Sequence, residues 1–348
     1  MAARRRTATL HEVAERAGVS LKTASNAVNG TGRMSDETRA RVERVIEELG
    51  YKVNVTARNL ILGRTNSVTL AVPTLKSPYL AELAEAVIQV ARPHGQEVYV
   101  TTYPDDGTHG MLRCLEHFNP HLSDGLLLSM SEHENLTAEQ LSVPYPLVCL
   151  GSRHTGGAAD RVTTNDVADA RAAAAHVLSR GSASIAVIGA HHEPDFATLA
   201  AAVEGNAEQR LRGILEGCRE AGRELDPEAV IVTGYEWTIG AGFRAARRLL
   251  DRKVRFDALI CLNDGLAIGA ISALRESGVR IPEEVQVMGF DNIEEGAYLS
   301  PALTSMDSSI GWVAASALGC LAERIESDPG AARTLLSPTR LVTRATTR

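Results

Sequence analysis

Residues 9–29 read TLHEVAERAGVSLKTASNAVN, and the reading of this stretch decides what kind of molecule the rest of the chain builds. Thr9 and Glu12 have the spacing of a capping box, and Leu10, Val13, Ala14 and Ala17 recur on one helical face, so a helix is expected to start at Leu10. Gly18 tolerates the positive φ of a tight turn, Val19 fills the angle, and Ser20 is a natural N-cap for a second helix. In that helix Ala24, Ala27 and Val28 face inward, which leaves Leu21, Lys22, Ser25, Asn26 and Asn29 on the outer side. An exposed leucine followed by lysine at a helix start suits a DNA major groove: leucine against a thymine methyl, lysine toward guanine acceptors. The same spacing also fits an ordinary three-helix cap that binds nothing, and these residues alone leave both readings open.

The surroundings favour DNA. Ser35 caps a third helix with Asp36 and Glu37 in its first turn, Val42, Val45, Ile46 and Leu49 form its buried face, and Gly50 ends it. Residues 1–66 carry 12 Lys/Arg against 7 Asp/Glu, whereas the remainder carries 24 against 36, within an overall charge of −7. A basic head on an acidic body brings the head to phosphate. Arg4, Arg5 and Arg6 form a short basic arm, a run equally common in solubilising tails. Between head and body, residues 51–66 read YKVNVTARNLILGRTN. Asn54 could cap a helix over 55–62, a segment too short to hold helical shape alone in water; a plain linker is the other reading.

From residue 67 the texture changes to short apolar strands alternating with amphipathic helices. SVTLAV, EVYVTT, DGLLLSM and PLVCLG form one set; SIAVIG, AVIVTG, ALICLN and VQVMGF form a second. This order predicts an α/β body of two lobes, each a parallel doubly wound sheet. The expected division is a helix-turn-helix head at 1–50, a hinge segment at 51–66 and a body at 67–348. Within the body, lobe 1 is expected over 67–165 and 297–327, and lobe 2 over 166–296 and 328–348.

Open parallel sheets bind ligands beyond the carboxyl ends of their strands. Those ends deliver Tyr79, Asn165 and Asp166, Arg210, Trp237, Asn263 and Asp291. Together they suit a polar ring, stacked on aromatic faces and held by directional hydrogen bonds, as in a sugar or nucleoside-like effector. Each also has a duller role available: Asn263 as a helix cap, Arg210 as an ion-pair partner, Trp237 as packing. Enzyme signatures are thin. Gly240-Ala241-Gly242-Phe243-Arg244-Ala245 matches a dinucleotide pattern but lies well past its strand, and reads as small residues within a helix. His191, His192 and Asp195 form no convincing metal set, since adjacent histidines usually point apart. No metal, no cofactor and no catalytic residue is expected. Five widely spaced cysteines without a C-x-x-C fit reduced thiols. No stretch reaches the ~18 apolar residues of a membrane span. A cytoplasmic protein with no membrane partner, associated with the nucleoid when on DNA, is therefore expected.

These residues resemble the LacI/GalR family of bacterial transcription regulators over essentially the whole chain. The resemblance rests on residues 9–30, on SDETRARVERVIEELGY (35–51), and on N-x-x-A-R-x-L-x-x-G-R-T from Asn54 to Thr65. In the body it rests on VIG (187–189), R-x-x-G at Arg210 to Gly213, LND (262–264), VMGFDN (287–292) and P-x-L-T-S (301–305). It implies a helix-turn-helix head on a periplasmic-binding-protein-like body that forms a homodimer on a palindromic double-stranded operator. Leu21, Lys22 and Asn26 would read bases, with Thr9, Thr23, Ser25, Asn29, Asn54 and Arg58 as further DNA contacts. Ala57 and Leu60 match hinge residues that enter the minor groove, Leu60 as a wedge. Tyr79, Leu80, Asn165, Arg210, Trp237, Asn263 and Asp291 match effector positions. Three departures stand out: Asn26 replaces a usual arginine, Val53 a usual proline, and Asn165-Asp166 reverses the common Asp-Asn order. With no heptad tail after the last strand, a dimer is expected. The expected function is a ligand-gated repressor; a solute sensor that no longer reads DNA sequence, or an enzyme using the cleft, are the alternatives.

Overall fold

A computed structural model describes residues 8–28, 31–51, 64–327 and 330–348. The chain divides into two compact units, Met1–Thr65 and Asn66–Arg348. Asn29, Val53, Asn54, Ala57, Arg58 and Leu60, together with the helix expected over 55–62, lie outside the described residues.

The first unit contains α1 (Leu10–Ala17), α2 (Leu21–Val28) and α3 (Asp36–Leu49). The capping box forms as the spacing requires: Thr9 Oγ1 accepts from the Glu12 amide at 3.3 Å, and the Thr9 amide donates to Glu12 Oε2 at 2.8 Å. Gly18 closes α1 at φ 63°, in the left-handed region where a Cβ would be strained. Ser20 Oγ then accepts from the Thr23 amide at 3.1 Å and starts α2. Val13, Ala17, Ala27, Val42 and Val45 make the core where the three helices meet. Val19, Met34, Ile46, Leu49 and Tyr51 pack around this core.

The second unit holds two six-stranded sheets. In the first, β1 (Ser67–Val72), β2 (Glu97–Thr102), β3 (Leu126–Ser129), β4 (Leu147–Leu150), β5 (Asp160–Thr163) and β11 (Thr334–Leu336) run in the order β11-β5-β4-β3-β1-β2, all pairs parallel. The second comprises β6 (Ile185–Ala190), β7 (Val230–Val232), β8 (Ala258–Cys261), β9 (Gln286–Asp291), β10 (Thr304–Asp307) and β12 (Arg340–Val342). Its order is β12-β10-β9-β8-β6-β7, with β12 antiparallel to β10. Alternation along the strands feeds a core on each sheet face. In β1, Val68, Leu70 and Val72 face one cluster and Ala71 the other; in β6, Ile185 and Val187 oppose Ala186 and Ile188. Burial on both faces explains why these strands read as continuous apolar runs.

The chain crosses between the lobes three times, and the later crossings fall elsewhere than the sequence suggested. Residues 297–307, expected in lobe 1, include β10, which lies in the second sheet; β11, expected in lobe 2, closes the first sheet beside β5. The switch from β10 to the helix Ile310–Glu326 passes through Ser309 at φ 54°. That helix returns to the first lobe, where Val313, Ala314, Ala317 and Leu321 pack under its sheet. Asp160, fully buried at the start of β5, anchors the return: Arg324 donates to both of its oxygens at 2.9 Å, and Arg333 adds two more contacts, from its amide at 2.7 Å and from Nη2 at 3.1 Å.

Candidate functional site: a cleft between two lobes

The carboxyl ends of β1, β3, β4 and β5 face those of β6, β8 and β9 across a cleft of about 380 Å³. Arg210 lies at its floor, on the helix Asn206–Glu220, and is 8% exposed. It reaches this position because that helix lies directly against the helix Asp166–Ser179. A Cβ on Gly213 would collide with the Val167 carbonyl oxygen, so the R-x-x-G spacing is a packing requirement. Arg210 Nε donates to Asp166 Oδ1 at 2.7 Å, Nη1 donates to the Leu262 carbonyl, and Nη2 lies 3.8 Å from Asp291 Oδ1. Its guanidinium carbon sits 4.6 Å from the Phe290 ring centre and 5.8 Å from that of Trp237. Burial by itself disfavours the charge, but Asp166 and Asp291 outweigh it and raise the Arg210 pKa further.

Asp291 is presented by strained backbone. Asp291 (φ 102°) and Asn292 (φ 57°) both occupy the left-handed half of the map. Asp264 holds this turn: its Oδ2 accepts from the Ile293 amide at 3.0 Å and its Oδ1 from Ser305 Oγ at 2.7 Å. Burial raises the Asp291 carboxyl to about 7, with Arg210 opposing the rise and Asp166 adding to it. Tyr79 stands opposite, its hydroxyl also pushed up by burial, and Leu80 follows it in the wall. Asn263 is both helix cap and cleft wall: its Oδ1 accepts from the Leu266 amide at 2.8 Å, and its Nδ2 donates to the Trp237 carbonyl at 3.2 Å. Trp237 in turn donates its indole N–H to the Gly189 carbonyl at 2.9 Å, which leaves the ring to face the cleft.

Six of the seven effector positions expected from sequence thus line one cavity: Tyr79, Leu80, Arg210, Trp237, Asn263 and Asp291. Asn165 is the exception. It is exposed and folds back as N-cap of the helix Asp166–Ser179, accepting from the Ala168 amide at 3.3 Å; its neighbour Asp166 enters the cleft instead. Sequence reasoning passed over the loops after β2 and β3, which bring Asp105, Ser131, Glu132 and His133 to the cleft. The strand-end rule, applied to those two strands, identifies them. His133 meets Tyr235 of the other lobe with ring centres 3.8 Å apart, and His191 stacks on the same tyrosine at 4.4 Å.

In the head, Leu21 is 51% exposed and Lys22 is exposed beside it at the start of α2, while Thr23, Ser25 and Asn26 are half-buried. The Asn26 amide lies close against Gly32, where a Cβ would collide with it. Thr9 serves the capping box of α1. Among the described residues, no helix is long and apolar enough to cross a membrane.

Comparison with known proteins agrees with this architecture. Residues 9–54 match the family model for bacterial regulatory proteins of the lacI family, and residues 174–347 match a periplasmic binding protein-like domain. The chain is 30% identical over 320 residues to the HTH-type transcriptional repressor PurR of Mannheimia succiniciproducens, covering 91% of this chain and 92% of that one. A LacI-type transcription regulator from Bifidobacterium animalis subsp. lactis superposes with a TM-score of 0.76 at 34% identity, over 81% of this chain and 99% of that one. The transcriptional regulator CelR in complex with cellobiose superposes with a TM-score of 0.68 at 26% identity, over 97% and 99% of the two chains. A helix-turn-helix head, a two-lobed body and full-length likeness to transcriptional repressors describe a DNA-binding regulator under small-molecule control rather than an enzyme. The chain belongs to the lacI family of bacterial regulatory proteins.

Proposed function

We propose that this chain is a repressor whose hold on DNA is set by an uncharged polar ring, a sugar or nucleoside, enclosed between its two lobes. The observation that carries this reading is the state of Arg210. Its positive charge is already paired with buried Asp166 at 2.7 Å, with Asp291 at 3.8 Å, so the cation at the cleft floor is engaged without a phosphate or carboxylate ligand; Lys76, exposed in the cleft wall, is a separate cation. Hydroxyl groups, by contrast, can accept from Nη2 and donate to Asp291, with a ring face against Trp237 and Tyr79. The sugar in the CelR complex is in keeping with this class.

In this proposal the active species is a homodimer in the bacterial cytoplasm, with its two heads on the halves of a palindromic operator. Leu21, Lys22 and Asn26 read bases, and Thr9, Thr23, Ser25, Asn29, Asn54 and Arg58 contact DNA around them. Ala57 and Leu60 enter the minor groove from a hinge over 55–62 that becomes helical only when two copies hold it on DNA. The effector binds one arrangement of the lobes better than the other, and that difference in affinity is what reaches the DNA. A thermal-shift panel of neutral sugars, nucleosides and their phosphate esters tests the effector class. Stabilisation by a neutral compound that also quenches or enhances Trp237 fluorescence is expected; stabilisation by phosphate esters alone would refute it.

A further inference from the structure

Three ligating side chains from distant parts of the sequence converge at one end of the cleft. They are Glu132, which follows β3 in the first lobe, and His191 and Glu208 of the second lobe. One ligand atom from each lies within 4.8 Å of the other two. The His191 side chain is 3% exposed, with Nδ1 at 3.2 Å from Glu208 Oε1. The other oxygens of the pair of acids, Glu132 Oε2 and Glu208 Oε2, are closed off from solvent and make no hydrogen bond. Both lie beside Gly205, where a Cβ would collide with Glu208 Oε2 and stand 3.6 Å from Glu132 Oε2. The next residue supplies another buried acceptor without a hydrogen bond, Asn206 Oδ1.

The acceptors among these atoms are not all satisfied. Arg153 Nε lies 3.1 Å from Glu132 Oε2 but out of hydrogen-bond alignment, and its Nη2 donates to the Glu132 carbonyl at 2.6 Å. Ser152 occupies Glu132 Oε1 at 2.7 Å. The Arg153 guanidinium and the His191 imidazole both face these carboxylates, yet three buried acceptor atoms, Glu132 Oε2, Glu208 Oε2 and Asn206 Oδ1, make no hydrogen bond. Buried acceptors in a folded protein are normally satisfied, and a cation satisfies a converging set of them at once. The histidine and aspartate that neighbour His191 in sequence do not take part: Asp195 caps the short helix Phe196–Leu199, and His192 meets the Tyr235 hydroxyl.

We propose that Glu132, His191 and Glu208 bind a divalent transition-metal cation that clasps the two lobes together. One imidazole nitrogen with carboxylate oxygens suits Zn²⁺, Mn²⁺ or Co²⁺ rather than Ca²⁺, which prefers an all-oxygen shell. Because one ligand belongs to the first lobe and two to the second, binding favours the closed body. The His191 and Trp237 ring centres are 5.4 Å apart, so the cation adjoins the effector position and provides a second input to the same motion.

The test is a titration of the full chain, stripped of metal by chelation, with Co²⁺ followed by its visible absorption and with Zn²⁺ by calorimetry. One saturable cation per chain is expected, raising the Tm, with affinity at least about ten-fold weaker in Glu132→Gln and in Glu208→Gln. Absence of saturable binding, or wild-type affinity in either variant, would overturn the proposal. Should either variant fail to fold, the wild-type protein decides alone: pulsed EPR with bound Mn²⁺ should detect one histidine nitrogen, and its absence would overturn the proposal. No DNA binding is read in these measurements, so their failure leaves the regulator reading intact.

Discussion

Asn165 and Asp166 differ by one position and by almost everything else. Asn165 turns its side chain back over the helix end, whereas Asp166 is buried against Arg210. Asn165→Ala should therefore cost about 1 kcal/mol of stability, the worth of an N-cap, and leave effector affinity within about two-fold. Asp166→Asn should cost about 3 kcal/mol, because it takes the nearer carboxylate from a buried guanidinium, and should weaken effector binding with it. Urea denaturation and a ligand titration separate the two, and equal effects would remove Asp166 from the site. A second residue-scale expectation concerns pH. Asp291 titrates near 7 when folded, from burial, against about 3.9 when unfolded. Between those values the folded state holds more protons, so this group's contribution to stability falls as pH rises from about 4 to about 7. Asp169, raised to about 6 chiefly by burial, acts in the same direction. Asp160 acts oppositely: the Arg324 and Arg333 hydrogen bonds overcome burial and lower it to about 2, so its contribution is lost as pH falls from about 4 toward 2. Asp291→Asn should flatten the neutral part of the profile, measured as denaturation midpoints from about pH 5 to about pH 8; an unchanged slope would show that Asp291 is ionised throughout.

At the scale of elements, the strands were legible as short apolar runs and most helices by their period. Arg210, Trp237, Asn263 and Asp291 were legible as cleft residues because they follow strands whose carboxyl ends must face a cleft. The order of crossings was not. Short segments such as TSMD (304–307) and TLL (334–336) carry no local sign of which sheet they join; partners such as Met288 for Thr304 and Arg161 for Thr334 decide it. Nor could the sequence show that Glu132, His191 and Glu208 meet, since only the closure of the two lobes brings them together. Asp160→Asn tests the element-level account. It removes the carboxylate shared by Arg324 and Arg333, and should cost about 3 kcal/mol through loosening of the helix Ile310–Glu326 and β11. Hydrogen exchange should localise the loss to 310–336, and a uniform increase across both lobes would contradict it. In the head, Lys22→Ala should cost about 1 to 3 kcal/mol on the operator and little on random DNA, by titration at fixed salt. An equal loss on both would reduce Lys22 to a phosphate contact.

At the scale of the whole molecule, a basic head and an acidic body with a cleft between its lobes share one chain. The reader was recognisable because its helix starts, turn and exposed Leu21–Lys22 lie within 21 consecutive residues, 9–29. The identity of the effector was not recognisable, because the polar groups that line the cleft are spread over many loops and already bond one another. Coupling between the sites is reciprocal: an effector that changes operator affinity by some factor must have its own affinity changed by the same factor when operator is present. The most direct measurement is selection of duplexes from a random-sequence library by the full chain, followed by titration of the selected duplex with and without the effector found by thermal shift. Enrichment of a palindrome, bound with an affinity that the effector changes at least about five-fold, is the predicted result. A protein that enriches no sequence at low salt, with or without ligand, would contradict it.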